Sequence, residues 1–173
     1  MAEQVQIDEL VAKMSEERGK LLAALDALSE EQASTPPKVG EWTQKQQMAH
    51  LCEMEAAYRA WVERALEEDG ANVDGVFGER PAIPLEHANE HGVAAHMAEL
   101  RRQREKTMVM IERMQPADFE RRATNKLFGT LTVMQWLRSY YRHDRMHYDQ
   151  VRGEEPSYKP RYAGGSEPDQ RRG

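Results

Sequence analysis

The sequence predicts an all-α protein, a four-helix bundle with a long crossover between its second and third helices. Three observations carry that expectation. Ala, Glu, Leu, Met, Gln and Arg, all good helix formers, dominate, while aromatic residues make up only 7% of the chain. Four segments place apolar residues three and four apart, the period of a helix with one buried face. Two of these segments open on capping boxes, and clusters of Pro and Gly stand between the segments.

The first helix runs from about Val5 to Leu28, its stripe made by Ile7, Leu10, Val11, Met14, Leu21, Leu22, Leu25 and Leu28. Pro36, Pro37 and Gly40 then forbid continuation. The second starts at Thr43, where TQKQ lets the Thr43 hydroxyl and Gln46 cap each other's backbone, and extends past Trp61 to about Glu68. The following DGANVDGVFGERPAIP is longer than a helical hairpin needs. It implies a crossover that leaves helices two and three side by side in the same direction. The third helix lies within about Glu86 to Met114, with Val93, Met97, Leu100, Met108, Ile111 and Met114 inward, Gly92 near its start and Pro116 beyond its end. The fourth opens on the box TVMQ at Thr132–Gln135 and runs to about Arg152. Strand signals are scarce. Residues 1–152 therefore read as one domain, and residues 153–173, rich in Pro, Gly and charge, as a flexible tail.

A chain of 173 residues suffices for one core that buries roughly 70% of its unfolded surface. Its net charge of −6 argues against a nucleic-acid partner, where a basic surface supplies most of the affinity. Charges alternate in sign, as in EMEAAYRAWVER, a mark of solvated helix faces. One cysteine, Cys52, fits a reducing compartment. MAEQVQIDEL lacks the features of a secretory signal, and no apolar run approaches the ~18 residues that span a bilayer. The expectation is a soluble, cytoplasmic protein with no membrane partner.

Chemistry concentrates in RHDRMHYDQV, residues 142–151. Residues four apart on a helix differ by about 40° in direction and about 6 Å in rise, so His143 and His147 can face one ion. Trp136, Tyr140, Gln150 and Val151 share their side of the helix, which therefore looks into the bundle. Imidazoles there are costly unless hydrogen-bonded or coordinated. His50, on the stripe with Met54, Ala57 and Trp61, is the natural third ligand. Three neutral imidazoles leave coordination positions open, the pattern of a catalytic rather than a structural site. Periodicity alone leaves a second reading open: three polar residues at a bundle end, hydrogen-bonded to Gln47, Gln150 or water.

WTQKQQMAHL resembles the W-(S/T)-x6-H-(L/I) opening of the second helix of the DinB-type, or YfiT-like, metal-binding bundles. LFGTLTVMQWLRSYYRHDRMHYDQV is similar to their final helix, with its G-x-x-T start and H-x-x-x-H-x-x-Q-(I/L/V) end. These are the DNA-damage-inducible bundles, unrelated to the polymerase of the same name. The resemblance covers about residues 1–152 and implies a four-helix bundle with His50, His143 and His147 as metal ligands. It implies a divalent transition metal, zinc or nickel foremost, and a homodimer. It also implies a low-molecular-weight thiol such as bacillithiol or mycothiol as co-substrate of a transferase or isomerase acting on a small molecule. Two other functions stay open: a metal-dependent hydrolase using water, and a non-catalytic metal-binding module of a stress response.

Around the histidines, Asp144 completes H-D-x-x-H, close to the zincin H-E-x-x-H in which the acid is a general base. It is a candidate catalytic residue, with solvent exposure or pairing to a neighbouring Arg as the alternative. Gln150 and Gln47, each one turn from a ligand, are candidates to orient a histidine or a water. His87 and His91 repeat the four-residue spacing without a third partner, and with His96 they read as structural. Cys52, about 200° around the helix from His50, reads as a buried small residue. Trp61, Trp136, Tyr140 and Tyr141 read as core, and Arg101–Glu105 as a solvated face able to receive an anion.

Overall fold

The computed structural model describes residues 2–158. Its long helices are α1 (Gln4–Asp26), α3 (Gln44–Glu67), α4 (Val93–Glu112) and α5 (Val133–Val151), with a short α2 (Glu30–Ser34) after α1. Local chemistry sets their starts. The Thr43 hydroxyl accepts from the Gln46 amide at 3.1 Å while Gln46 Oε1 accepts from the Thr43 amide at 2.9 Å. Thr132 and Gln135 repeat the box on α5 at 3.2 and 2.9 Å. Gly92 is the N-cap of α4, so that helix begins at Val93, and Leu85–Glu90 before it form a separate 3-10 turn.

Directions follow from which ends share a core. Met48, Leu51 and Cys52 at the start of α3 cluster with Val93, Met97 and Leu100 at the start of α4. Tyr58, Val62 and Ala65 at its end cluster with Ile111 at the end of α4. The two helices are parallel, as the long crossover requires. By the same test α1 and α5 are parallel to each other and antiparallel to α3 and α4: Leu10 and Met14 lie with Trp136 and Leu137, and Leu21 and Leu25 with Tyr148 and Val151. No helix among the described residues is long and apolar enough to cross a membrane.

The scarcity of strand signals left no strand expected, and the fold adds a small sheet. Strands β2 (Arg122–Asn125) and β3 (Gly129–Thr132) form an antiparallel hairpin, and β1 (Ala71–Asn72) pairs in parallel with β2 through Ala71↔Ala123. These strands are short and partly polar, and β1 meets β2 only because α3 and the hairpin end at the same place. Of the expected tail, residues 153–158 fold back on α5. The Glu154 amide donates to the Asp149 carbonyl at 2.9 Å, and Ser157 donates its amide and hydroxyl to the Asp149 carboxylate at 2.8 and 2.7 Å. Residues 159–173 lie outside the described residues.

Between the two apolar clusters lies a charged layer with one residue from each long helix: Arg18, Glu55, Arg104 and Asp144, all buried. Arg18 donates to both Asp144 oxygens at 3.1 and 2.9 Å and to Glu55 at 2.6 Å. Arg104 donates to Glu55 at 2.7 Å and to Asp144 at 2.9 Å. Their remaining donors reach the backbone carbonyls of Leu100 (2.6 Å) and Met14 (2.7 Å), and Thr107 donates to Glu55 at 2.9 Å. Burial on its own would raise the Glu55 carboxyl, but Arg104 and Arg18 outweigh it and hold the group below its ordinary value of 4.5. Asp144 is lowered against the same burial by the same two guanidiniums. The expected solvated face at Arg101–Glu105 is therefore corrected: Arg101, Arg102 and Glu105 are exposed, but Gln103 and Arg104 point into the core.

Removing one member leaves buried charge uncompensated, so Glu55→Ala should cost about 3–5 kcal/mol in denaturant unfolding. A depressed carboxyl contributes stability that is complete above its unfolded value and lost as pH falls through the folded one. The Glu55 contribution is thus full above about pH 5 and fades in acid. Glu55→Gln should accordingly flatten the acid limb of stability against pH; an unchanged slope would refute the linkage.

The crossover between β1 and the 3-10 turn is tied down along its length. Trp61 Nε1 donates to the Val76 carbonyl at 2.9 Å, and Asp74 accepts from the Lys126 amide at 2.8 Å. Glu79 accepts from Lys106 at 2.6 Å and from Gln103 at 3.1 Å, and the Ala82 amide donates to Glu99 at 3.3 Å. Gly78 lies on the backbone of α3: a Cβ there would overlap the Ala56 carbonyl and come within 2.6 Å of the Ala57 nitrogen. Gly78→Ala should lift the crossover from α3, lower thermal stability by roughly 1–3 kcal/mol and speed amide exchange at residues 75–80.

Candidate metal centre

His50 comes from α3, and His143 and His147 from successive turns of α5. Because α3 and α5 are antiparallel, the early turn of one meets the late turn of the other. All three side chains are buried. His143 and His147 approach Nε2 to Nε2 at 3.0 Å, and one ligand atom from each of the three lies within 4.8 Å of the others. The ring centroids stand 4.7 Å apart for His143–His147, 5.4 Å for His50–His143 and 6.0 Å for His50–His147. Two imidazole nitrogens on one tetrahedral zinc are about 3.3 Å apart, so the α5 pair fits an ion and His50 lies within its reach. Three neutral nitrogen donors suit zinc, nickel or a related divalent transition metal.

The surroundings fix the three imidazoles. The Trp42 ring lies 5.1 Å from His50 at a tilt, and Tyr58 lies 6.4 Å from His143. Tyr58 in turn stacks on Tyr140 at 5.3 Å. Asp144 sits under the cluster in the charged layer, both of its oxygens engaged by Arg18 and Arg104, and so braces the turn that carries His143. Gln47 and Gln150 stand one turn from His50 and His147. The Oε1 of each is buried with no hydrogen-bond partner among the described residues. Both line a pocket of about 420 Å³ shared with Trp42, Lys38 and Glu154.

His50 also lines a second, larger groove of about 620 Å³. Its floor is the α3 stripe Met54, Ala57 and Trp61; the pinned crossover forms one wall and the β2–β3 turn with Phe128 another. The α3 stripe of His50, Met54, Ala57 and Trp61 thus lines an open groove as well as facing the core.

The remaining histidines are not brought together with these three. His87 pairs with Glu90 at 3.0 Å, which raises its pKa, and His96 bonds the Ala88 carbonyl at 2.7 Å. His91 meets His96 edge to face at 6.4 Å. Cys52 is buried, and burial pushes its thiol well above the ordinary range, which makes it unreactive. Arg18 and Glu55 belong to no motif, and Arg104 lies in the run expected to be a solvated face. The available signal was position: Arg18 falls four after Met14 and three before Leu21, and Glu55 four after Leu51 and three before Tyr58, each on the apolar stripe of its helix.

The described chain is similar in structure to a protein from Bacillus subtilis, YfiT, described as a probable metal-dependent hydrolase with an unusual four-helix bundle topology. The TM-score is 0.72 at 17% identity, over 88% of this chain and 87% of that one. A second similar structure, TT2238, is described as a four-helix bundle protein; the TM-score is 0.63 at 22% identity, over 86% of this chain and 99% of that one. Both show the fold. No protein with a curated description matches the sequence. The family model described as DinB superfamily matches residues 13–151, a span that holds all three histidines, and the chain belongs to that superfamily.

Proposed function

We propose that the protein is a metal-dependent enzyme acting on a small molecule, with one divalent ion held by His50, His143 and His147. The observation that carries this is the trio itself: three buried imidazoles whose donor atoms lie within 4.8 Å of one another, at the edge of a 620 Å³ groove. An ion held by three imidazoles supplies Lewis acidity at its open positions, acidifying a water or thiol and polarising a substrate oxygen. The chain's own groups do the rest. His50 lines the end of the groove and so would set an ion beside a ligand bound there. Gln47 and Gln150 offer amides that hold a water or a polar substituent beside the cluster. Asp144, fixed by two arginines, keeps the α5 turn in register and acts as a positioning residue.

Hydrolysis is the first reading, because the groove is open to water and YfiT, similar in fold, is described as a probable metal-dependent hydrolase. Thiol transfer is the second. It is favoured by the separate polar pocket at Gln47 and Gln150, which offers a place for a polar co-substrate beside the groove.

Metal analysis by mass spectrometry should find about one equivalent per chain, lost in both His50→Ala and His147→Ala while helicity is kept. An ester and amide panel should be turned over without added thiol and stop in His147→Ala. Turnover only in the presence of a thiol selects the second reading. Failure to bind zinc, nickel or manganese after reconstitution overturns both. Gln150→Leu should weaken metal binding or turnover by roughly 10–100-fold.

A further inference from the structure

Phe77 is 88% exposed although its neighbours on both sides are anchored. The Val76 carbonyl accepts from Trp61 Nε1 at 2.9 Å, and Gly78 rests on the α3 backbone at Ala56 and Ala57. A single exposed ring is unremarkable in itself. This one lines the groove that begins at His50, and the anchors hold it there. Met54, Ala57, Trp61, Val73 and Phe128 line the same groove. Glu53, Asp74 and Lys126 also line it. Three of its charged groups are engaged: Glu79 with Lys106 at 2.6 Å, Arg80 with Glu86 at 2.7 Å and Asp74 with the Lys126 amide at 2.8 Å. What the groove offers a ligand is therefore mainly apolar and aromatic surface, in a volume typical of small-molecule sites.

We propose that this groove binds a neutral, largely apolar aromatic small molecule, and that Phe77 is the specificity-determining residue that covers it. Binding stands on the groove alone; that such a molecule is the substrate class rests on the metal-enzyme reading above. An aromatic ring lying on the Met54–Trp61 floor would take Phe77 as its outer face and present its substituent toward His50.

N-phenyl-1-naphthylamine, a neutral probe that fluoresces in apolar sites, tests this on the full chain. Binding should saturate near one per chain. Phe77→Ala should weaken it roughly five- to tenfold with thermal stability unchanged. Val39→Ala, which removes another exposed apolar side chain outside the groove, should not alter it. His147→Ala should keep probe binding while losing metal, which separates this proposal from the metal reading: metal without probe binding overturns the groove alone, and probe binding without metal overturns only the enzyme. Absence of saturable binding, or equal affinity in Phe77→Ala, overturns the proposal. So does a Phe77→Ala variant whose sedimentation shifts from dimer to monomer at unchanged probe affinity, since the ring would then belong to a contact between copies.

Discussion

The buried pairing of Arg18 and Arg104 with Glu55 and Asp144 is the constraint on which the rest of this bundle depends. Apolar stripes alone permit helices to slide by a turn or rotate, because leucine and methionine side chains repack at small cost. Four charges taken from water have no such freedom. Each must meet its opposite with good geometry or incur a desolvation penalty of several kcal/mol. Here every member comes from a different helix, and the guanidiniums also close the backbone carbonyls of Met14 and Leu100. The layer therefore fixes the height and rotation of all four helices at once, with an apolar cluster on either side.

That register is what makes the three-histidine cluster. Asp144 belongs to the charged layer and His143 is its neighbour in sequence, so locking the one orients the other. Glu55 does the same for α3, whose earlier turn carries His50. A shift of one helix by a residue would turn an imidazole by about 100° and break the cluster. Stability and the candidate chemistry thus share one device. The groove has a different origin: the crossover is held against α3 and α4 by the Trp61–Val76 bond, the close approach at Gly78 and the Glu79 contacts. Its wall stands beside His50 because a parallel α3–α4 pair forces a long connection to return past α3.

The legible parts of the protein are those written in neighbouring residues. Thr43 with Gln46 and Thr132 with Gln135 announce helix starts because a capping box needs only four consecutive positions. His143 and His147 announce a shared face because helical periodicity places them there, and Trp136 and Tyr140 say which way it points. The crossover is legible from its length. The parallel pair β1 and β2 is not, since two residues after α3 acquire strand geometry only when a distant hairpin lies alongside. Arg104 is masked by its run: within RRQRE it looks like one more solvated charge, although it stands four after Leu100 and four before Met108, at the centre of the apolar stripe where Arg101 and Arg102 are not.

By itself, the sequence determined the four long helices, the capping boxes of α3 and α5, the inward face of α5 and the residue types able to hold an ion, all consequences of spacing along one chain. Only the tertiary structure decided which charges are buried together, that Asp144 braces the site from below, and that the α3 stripe below His50 opens into a groove under Phe77. The physical reason is that burial and pairing are relations between segments far apart in sequence. A charge on an apolar stripe is a fault or a keystone depending on what three other helices bring to meet it.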